Sequence, residues 1–256
     1  MEKPYIIIVL GTPRKYGNTA KIAEIAAEGA RSEGANVDKI FLVDYDIKPC
    51  IGCVSDDQYA CRYPCVIDDD MRKIYDMILK CDGLIIATPI YWYSPSGIVK
   101  TFIDRLTVFE NMIYIDGKSW VEGKAAGVIA VGNDSGSIEL IANLYATLNS
   151  MGFVIPPWGL AYYQELGDIL ENDNACMDAF NVGRVVTLMA KILKREKIEK
   201  WYVSDEKALS YAKKKAEKEV KKHEHEYKSR LEKFKALEKR QGASSLKSIR
   251  IGLKEF

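Results

Sequence analysis

A short polar turn set between a strand and a helix constrains this chain more than any other feature. The apolar run Tyr5-Ile-Ile-Ile-Val-Leu10 leads directly into Gly11-Thr-Pro-Arg-Lys-Tyr-Gly-Asn-Thr19, and Ile22, Ile25, Ala26 and Ala30 follow at helical spacing. A β-branched run of this kind fits a strand buried on both faces, which demands helices on both sides of its sheet. The first-turn N–H groups of the following helix lack intrahelical partners, and the helix dipole favours negative charge there. Thr12, Asn18 and Thr19 supply hydrogen bonds for a phosphate, Arg14 supplies a charge, and Gly17 frees the backbone between them. A plain tight turn capped by Asn18 or Thr19 accounts for those two residues and one glycine, but leaves Thr12 and Arg14 without a role. The loop lacks Gly-Lys-Ser/Thr at its end, which argues against a nucleoside-triphosphate loop.

Strand and helix patterns then alternate. Strands are predicted at Asn36–Val43, Gly83–Thr88, Lys124–Val131 and Phe153–Ile155, the last ended by Pro156-Pro157. Helices are predicted at Asp68–Cys81, Pro95–Leu106, Ile138–Met151 and Ala175–Lys194. This β-α order implies an α/β fold, a doubly wound parallel five-stranded sheet. We assign residues 1–195 to that domain and 196–256 to a charged, mainly helical C-terminal extension.

Charge supports the division. The 256 residues carry net charge +1, but residues 196–256 hold net +7 and residues 1–195 net −6. Within the extension, Asp205–Arg240 reads as a long exposed helix of Glu–Lys neighbours, broken by Gly242-Ala-Ser-Ser. Acidic residues interrupt the cations throughout, which argues against a nucleic-acid arm. His223 and His225, the two histidines, read as surface residues there; at i, i+2 they do not face each other as a zinc pair would. No apolar run reaches membrane-span length, and Met1-Glu-Lys-Pro leads into the first strand without a signal-peptide core. A cytoplasmic protein without membrane contact is the expectation.

In a parallel sheet all strand C-termini share one edge, where ligands bind. Four unusual loops follow strands here. The first is the 11–19 turn. The second holds Cys50, Cys53, Cys61 and Cys65 within sixteen residues, a set that suits a [4Fe–4S] cluster or tetrahedral zinc, with a disulfide or free thiols as metal-free alternatives. Cys81 and Cys176 read as core residues. The third, Pro89-Ile-Tyr-Trp-Tyr-Ser-Pro-Ser96, sets three aromatics between two prolines, suited to a flat heteroaromatic ring or to a rim packed by another subunit. The fourth, Gly132-Asn-Asp-Ser-Gly136, lets backbone approach a ligand closely.

Gly11-Thr-Pro-Arg-x-x-Gly-Asn-Thr19, Thr88-Pro-Ile-Tyr-Trp92 and Ser96-Gly-Ile-Val-Lys-Thr-Phe-Ile-Asp-Arg105 resemble the NADPH-dependent FMN reductase family. Lys48-Pro-Cys-Ile-Gly-Cys53 and Cys65-Val-Ile-Asp-Asp-Asp-Met71 resemble its iron–sulfur flavoprotein branch. The resemblance spans about residues 5–190. It implies a flavodoxin-like fold of strand order 2-1-3-4-5, non-covalent FMN, and a homodimer or tetramer of dimers. By position it implies that Thr12, Arg14, Gly17, Asn18 and Thr19 hold the phosphate. Pro89, Ile90, Tyr91 and Trp92 would line the isoalloxazine, and Gly132, Asn133, Asp134 and Gly136 would close its far side. Lys100, Asp104 and Arg105 read as structural, fixing the helix after the ring loop. The branch's compact cysteine motif places its third cysteine two residues beyond the second, whereas here Cys61 follows Cys53 after seven.

The function implied is hydride transfer from NAD(P)H to FMN, then electron transfer to a flavin, quinone, metal or protein acceptor, with the [4Fe–4S] cluster as relay if present. No catalytic side chain is required, because the chemistry is the cofactor's. The alternative is a non-enzymatic electron carrier between ferredoxin-type partners.

Overall fold

The computed structural model describes residues 2–196, Ile198, Trp201 and 205–241. The chain divides into two compact units, Met1–Tyr202 and Val203–Phe256.

In the first unit, β1 (Tyr5–Leu10) leads through the polar turn into α1 (Asn18–Ser32) and β2 (Asn36–Phe41). The cysteine loop carries one helical turn, α2 (Cys53–Asp56), before α3 (Met71–Lys80) and β3 (Gly83–Tyr91). Then come β4 (Ser94–Pro95), α4 (Gly97–Arg105), α5 (Thr107–Glu110), β5 (Ala125–Gly132), α6 (Ser137–Ser150), β6 (Leu160–Gln164) and α7 (Asp173–Arg195). Five strands pair in parallel in the order β2-β1-β3-β5-β6, with β4 antiparallel to the end of β3. Counted along the five parallel strands, this is the expected 2-1-3-4-5 flavodoxin-like order.

Period-two alternation splits β1 between two cores. Ile7 and Val9 join α3, α4 and α6 on one face, while Ile6, Ile8 and Leu10 join α1 and α7 on the other. All six residues from Ile6 to Gly11 are buried, as a strand covered on both faces requires.

Three expectations are corrected. The fifth strand is Leu160–Gln164, not Phe153–Ile155. Val154 makes only an isolated bridge to Ala125. Pro156 and Pro157 then lack the donors to continue, and pairing with β5 resumes when Val128 N donates to Gly159 O. Pro95 does not start a helix but pairs with Ile90 in a hairpin, so α4 begins at Gly97. The single long helix of the extension is two, α8 (Glu206–Lys221) and α9 (Glu224–Gln241).

In that second unit Asp205 caps α8, accepting from Lys207 N and Ala208 N at 3.0 and 2.9 Å. Every side chain described between 205 and 241 is exposed, His223 and His225 included. Lys221–Glu217 and Lys215–Glu219 are i,i+4 pairs of the expected kind. The break expected at Gly242–Ser245 lies outside the described residues.

The closest helix contact is α1 against α7. A Cβ on Gly183 would stand 1.9 Å from Ala26 O, and one on Gly29 would stand 1.9 Å from Phe180 O. Gly183→Ala therefore forces two covered helices apart. The expected loss is about 1–3 kcal/mol of stability, read as a lower urea midpoint; an unchanged midpoint would mean that the helices separate without cost.

Candidate functional site

The loops at the C-terminal edge are tied together by short contacts. Ser96 Oγ donates to Gly11 O at 2.7 Å, and Ser96 N donates to Thr88 Oγ1 at 3.1 Å. A Cβ on Gly11 would lie 2.0 Å from Val99 Cγ2, so the start of the polar turn is pressed against α4. A Cβ on Gly132 would lie 2.9 Å from Ile90 Cδ1, and one on Gly136 would lie 2.9 Å from Tyr93 Cδ1. Gly136 also has φ +92°, a conformation that favours glycine. The first, third and fourth loops are thus one contiguous surface. Ser137 Oγ bonds Gln164 Oε1 at 2.5 Å and ties the start of α6 to the end of β6.

The aromatic loop is a hairpin. Ile90 pairs with Pro95 and Tyr91 with Ser94, leaving Trp92 and Tyr93 as a two-residue turn. Their φ values are +52° and +63°. Hairpin turns want positive φ at both central residues, normally supplied by Asn or Gly. Two bulky aromatics here cost of order 1–3 kcal/mol each. Trp92 is 92% exposed, and Tyr91 and Tyr93 are about half exposed at 49% and 56%. The strain therefore presents rings outward rather than filling a core.

In the polar turn, Thr12 is buried and its Oγ1 bonds both the N and O of Arg14, folding the loop back on itself. Arg14 is exposed and makes no ion pair among the described residues, whereas Lys15 is taken by Asp44 at 2.6 Å. Gly17 is the N-cap of α1 and makes no side-chain cap bond. The Asn18 side chain is committed elsewhere: its Nδ2 donates to Gly167 O at 2.9 Å and its Oδ1 accepts from Ile169 N at 3.3 Å. Lys21 adds a pair to Asp168 at 2.5 Å. Asn18 opens α1 with a backbone N–H that has no intrahelical partner, and Thr19 is buried at the same turn. Asn133 and Asp134 are exposed, with Asp134 Oδ1 accepting from Ser135 N.

All four loop cysteines border one cavity of about 20 Å³, together with Arg105. Each is a free thiol, with Cys50 exposed and the other three half-buried. Burial, then the neighbouring thiols and Glu110, push the Cys61 thiol up to about 11. Among the described residues, no three Cys, His, Asp or Glu side chains are arranged to hold a metal ion. Asn111, buried, staples the loop: its Nδ2 donates to Gln58 O and Cys61 O, both at 2.7 Å. Cys81 is buried and Cys176 half-buried, both apart from this cavity.

Arg105 and Asp69 form a fully buried fork, Nη1 to Oδ2 at 2.5 Å and Nη2 to Oδ1 at 3.2 Å. Burial raises the Asp69 carboxyl, but the guanidinium and the Lys48 and Met71 N–H groups outweigh it and hold it below the usual range. The sequence marks both residues only as parts of motifs; nothing in it pairs positions 69 and 105. Lys100 and Asp104, by contrast, form an exposed i,i+4 pair.

A doubly wound parallel sheet with the polar turn and the aromatic hairpin together at one edge is a flavodoxin-like fold. The model of the NADPH-dependent FMN reductase family matches residues 4–164. The chain belongs to that oxidoreductase family, and FMN and NAD(P)H are the cofactor and co-substrate the family supports. A Bacillus subtilis (strain 168) protein named "Putative NAD(P)H-dependent FMN-containing oxidoreductase YwqN" is 34% identical over 174 residues, 66% of this chain and 91% of that one. An "Iron-sulfur flavoprotein" of Archaeoglobus fulgidus is 30% identical over 152 residues, 59% of this chain and 62% of that one. The solved structure of the Trp repressor binding protein from Bacillus subtilis is similar at 30% identity and TM-score 0.51, over 69% of this chain and 99% of that one. The structure of RosB, at 19% identity and TM-score 0.66 over 83% and 87% of the two chains, shares the fold.

Breaking a buried ion pair from one side is costly, about 3–5 kcal/mol. Asp69→Ala should destabilise the first unit by that order at pH 7. Because the folded Asp69 carboxyl is held below the ordinary carboxylate range, its contribution is full above that range. It is lost as pH falls through the depressed folded value. Urea midpoints measured from pH 7 down to pH 2 should therefore converge for wild type and variant at the acid end; a constant gap would show that Asp69 charge is not what is lost.

Proposed function

We propose that this protein takes hydride from NAD(P)H onto one FMN bound at the C-terminal edge, and passes the electrons to a flavin, quinone, metal or protein acceptor. The observation that carries the reading is the junction of two dissimilar loops on one surface: the polar turn opening α1, and the strained hairpin that turns Trp92 and Tyr93 outward. The residues fit FMN. Free first-turn N–H groups, the Thr19 hydroxyl and the unpaired Arg14 suit a phosphate, and Thr12 shapes the turn that presents them. Pro89, Ile90, Tyr91 and Trp92 would lie along the ring, with the glycine-opened 132–136 backbone on its other side. When bound, FMN supplies the hydride and electron chemistry. The chain's part is to anchor the phosphate, fix the ring plane through the hairpin, and leave a face open beside the exposed aromatics. A homodimer or tetramer of dimers, with those aromatics near a second copy, and a cytoplasmic location belong to the same proposal.

The cysteine pocket is the second part of the reading. Cys50, Cys53, Cys61 and Cys65 would hold a [4Fe–4S] cluster, supplying one-electron steps when bound. The donor set fits in kind: four thiols border one cavity, beside a buried guanidinium whose Nε–H has no partner. The cavity is about the size that one water needs, so the 50–65 loop must open around a cluster. Iron and sulfide analysis of anaerobically purified protein, with its visible spectrum, tests this; flavin bands with no iron would remove the cluster.

Two variants test the flavin site. Arg14→Ala should weaken FMN binding by about 1.5–3 kcal/mol, some ten- to 150-fold in Kd by fluorescence quenching. Trp92→Gly relieves a positive φ, so the FMN-free protein should melt no lower than wild type while FMN affinity falls. Unchanged FMN affinity in both variants would move the site elsewhere.

A further inference from the structure

One polar group at the cysteine pocket is used by neither the flavin site nor the thiol set. Arg105 is 2% exposed and borders the cavity with all four cysteines. Its Nη1 donates to Asp69 Oδ2 at 2.5 Å and to Lys48 O at 2.8 Å. Its Nη2 donates to Asp69 Oδ1 at 3.2 Å and to Cys65 Sγ at 3.6 Å. Its Nε–H is buried with no partner. An unmade hydrogen bond on a buried charged group is costly, so such a group calls for an explanation. Asp69 already compensates the charge and Lys48 O is taken. Besides the four sulfurs, the cavity is lined by apolar side chains, Arg62, Thr107 and Asp104, and the Asp104 carboxylate is paired with Lys100. A thiol is a weak acceptor whereas a thiolate or sulfide is a stronger one.

We infer that Arg105 is a positioning residue for the cysteine pocket, donating N–H···S hydrogen bonds to a thiolate-ligated iron–sulfur cluster and raising its reduction potential. The inference rests on the cluster reading above and adds a residue to it. Reduction adds one negative charge at the sulfurs, so donors there favour the reduced form. Asp69 fixes the guanidinium from one side, which leaves its remaining N–H groups oriented rather than free to rotate. Arg105 also ends α4, whose first turn follows the aromatic hairpin. Nine residues at about 1.5 Å each put about 13 Å of rigid helix between the pocket and the ring loop.

The test compares wild type with Arg105→Lys and with the paired variant Arg105→Met, Asp69→Asn. The lysine keeps a charge for Asp69 but removes the fork and the Nε–H. The paired variant removes both charges, so neither is left buried alone. Each full-length protein is loaded anaerobically with ferrous iron and sulfide. Iron per chain, thermal midpoint, and the reduction potentials of cluster and flavin are then measured. We expect wild-type iron content in both variants, a cluster potential shifted downward in both, and an unmoved flavin potential. Loaded variants with the wild-type cluster potential would overturn the inference and leave the cluster reading standing. Wild-type protein that takes up no iron would overturn the cluster reading itself, and the inference with it.

Discussion

A central strand with no solvent-exposed face decides most of this molecule. Once Ile6–Leu10 is buried on both sides, helices must cover both faces, crossovers must be long, and neighbouring strands must run parallel. Parallel strands then deliver every following loop to one edge. The polar turn, the aromatic hairpin and the glycine loop meet because β1, β3 and β5 are adjacent, not because their sequences attract one another. Gly11 against Val99, Gly132 against Ile90 and Gly136 against Tyr93 show how little slack that adjacency leaves.

Two of the departures from low-energy local structure lie at the proposed redox sites; Trp158 at φ +62° and the buried, unpartnered Tyr145 hydroxyl lie outside them. The hairpin holds Trp92 and Tyr93 at positive φ while exposing them. The cysteine pocket holds a guanidinium with an unpaired N–H inside a rigid clamp from Asp69. Stable folds tolerate such features where the surroundings over-determine them. Around Trp92 the surroundings are the Ile90–Pro95 pairing and the glycine backbone. Around Arg105 they are Asp69, Lys48 O and Tyr75, whose ring lies 5.9 Å from the guanidinium and whose hydroxyl donates to Arg105 O.

The sheet and its order were legible because β-branched runs and helical spacing are local signals, and the motifs added the strand order. Phe153-Val-Ile155 looks more strand-like than Leu160-Ala-Tyr-Tyr-Gln164, but pairing with β5 depends on where the two prolines interrupt it, which local pattern does not show. The hairpin is not legible as one, because Trp-Tyr carries no hairpin-turn signal. The Asn18 amide bonds Gly167 O and Ile169 N, 149 and 151 positions away, contacts that no local pattern contains. Arg105 and Asp69, 36 residues apart, show the same limit: a motif can mark a residue without showing what it touches.

The proposed function requires that this edge bind FMN in a form that NAD(P)H reduces. It is tested most directly by mixing FMN-loaded protein with NADH or NADPH anaerobically and following the flavin absorbance. Bleaching is expected on a catalytic timescale of about 0.1 s for a turnover near 10 per second. Flavin that stays oxidised with both nucleotides, yet is reduced rapidly by ferredoxin, would contradict it and make the protein an electron carrier.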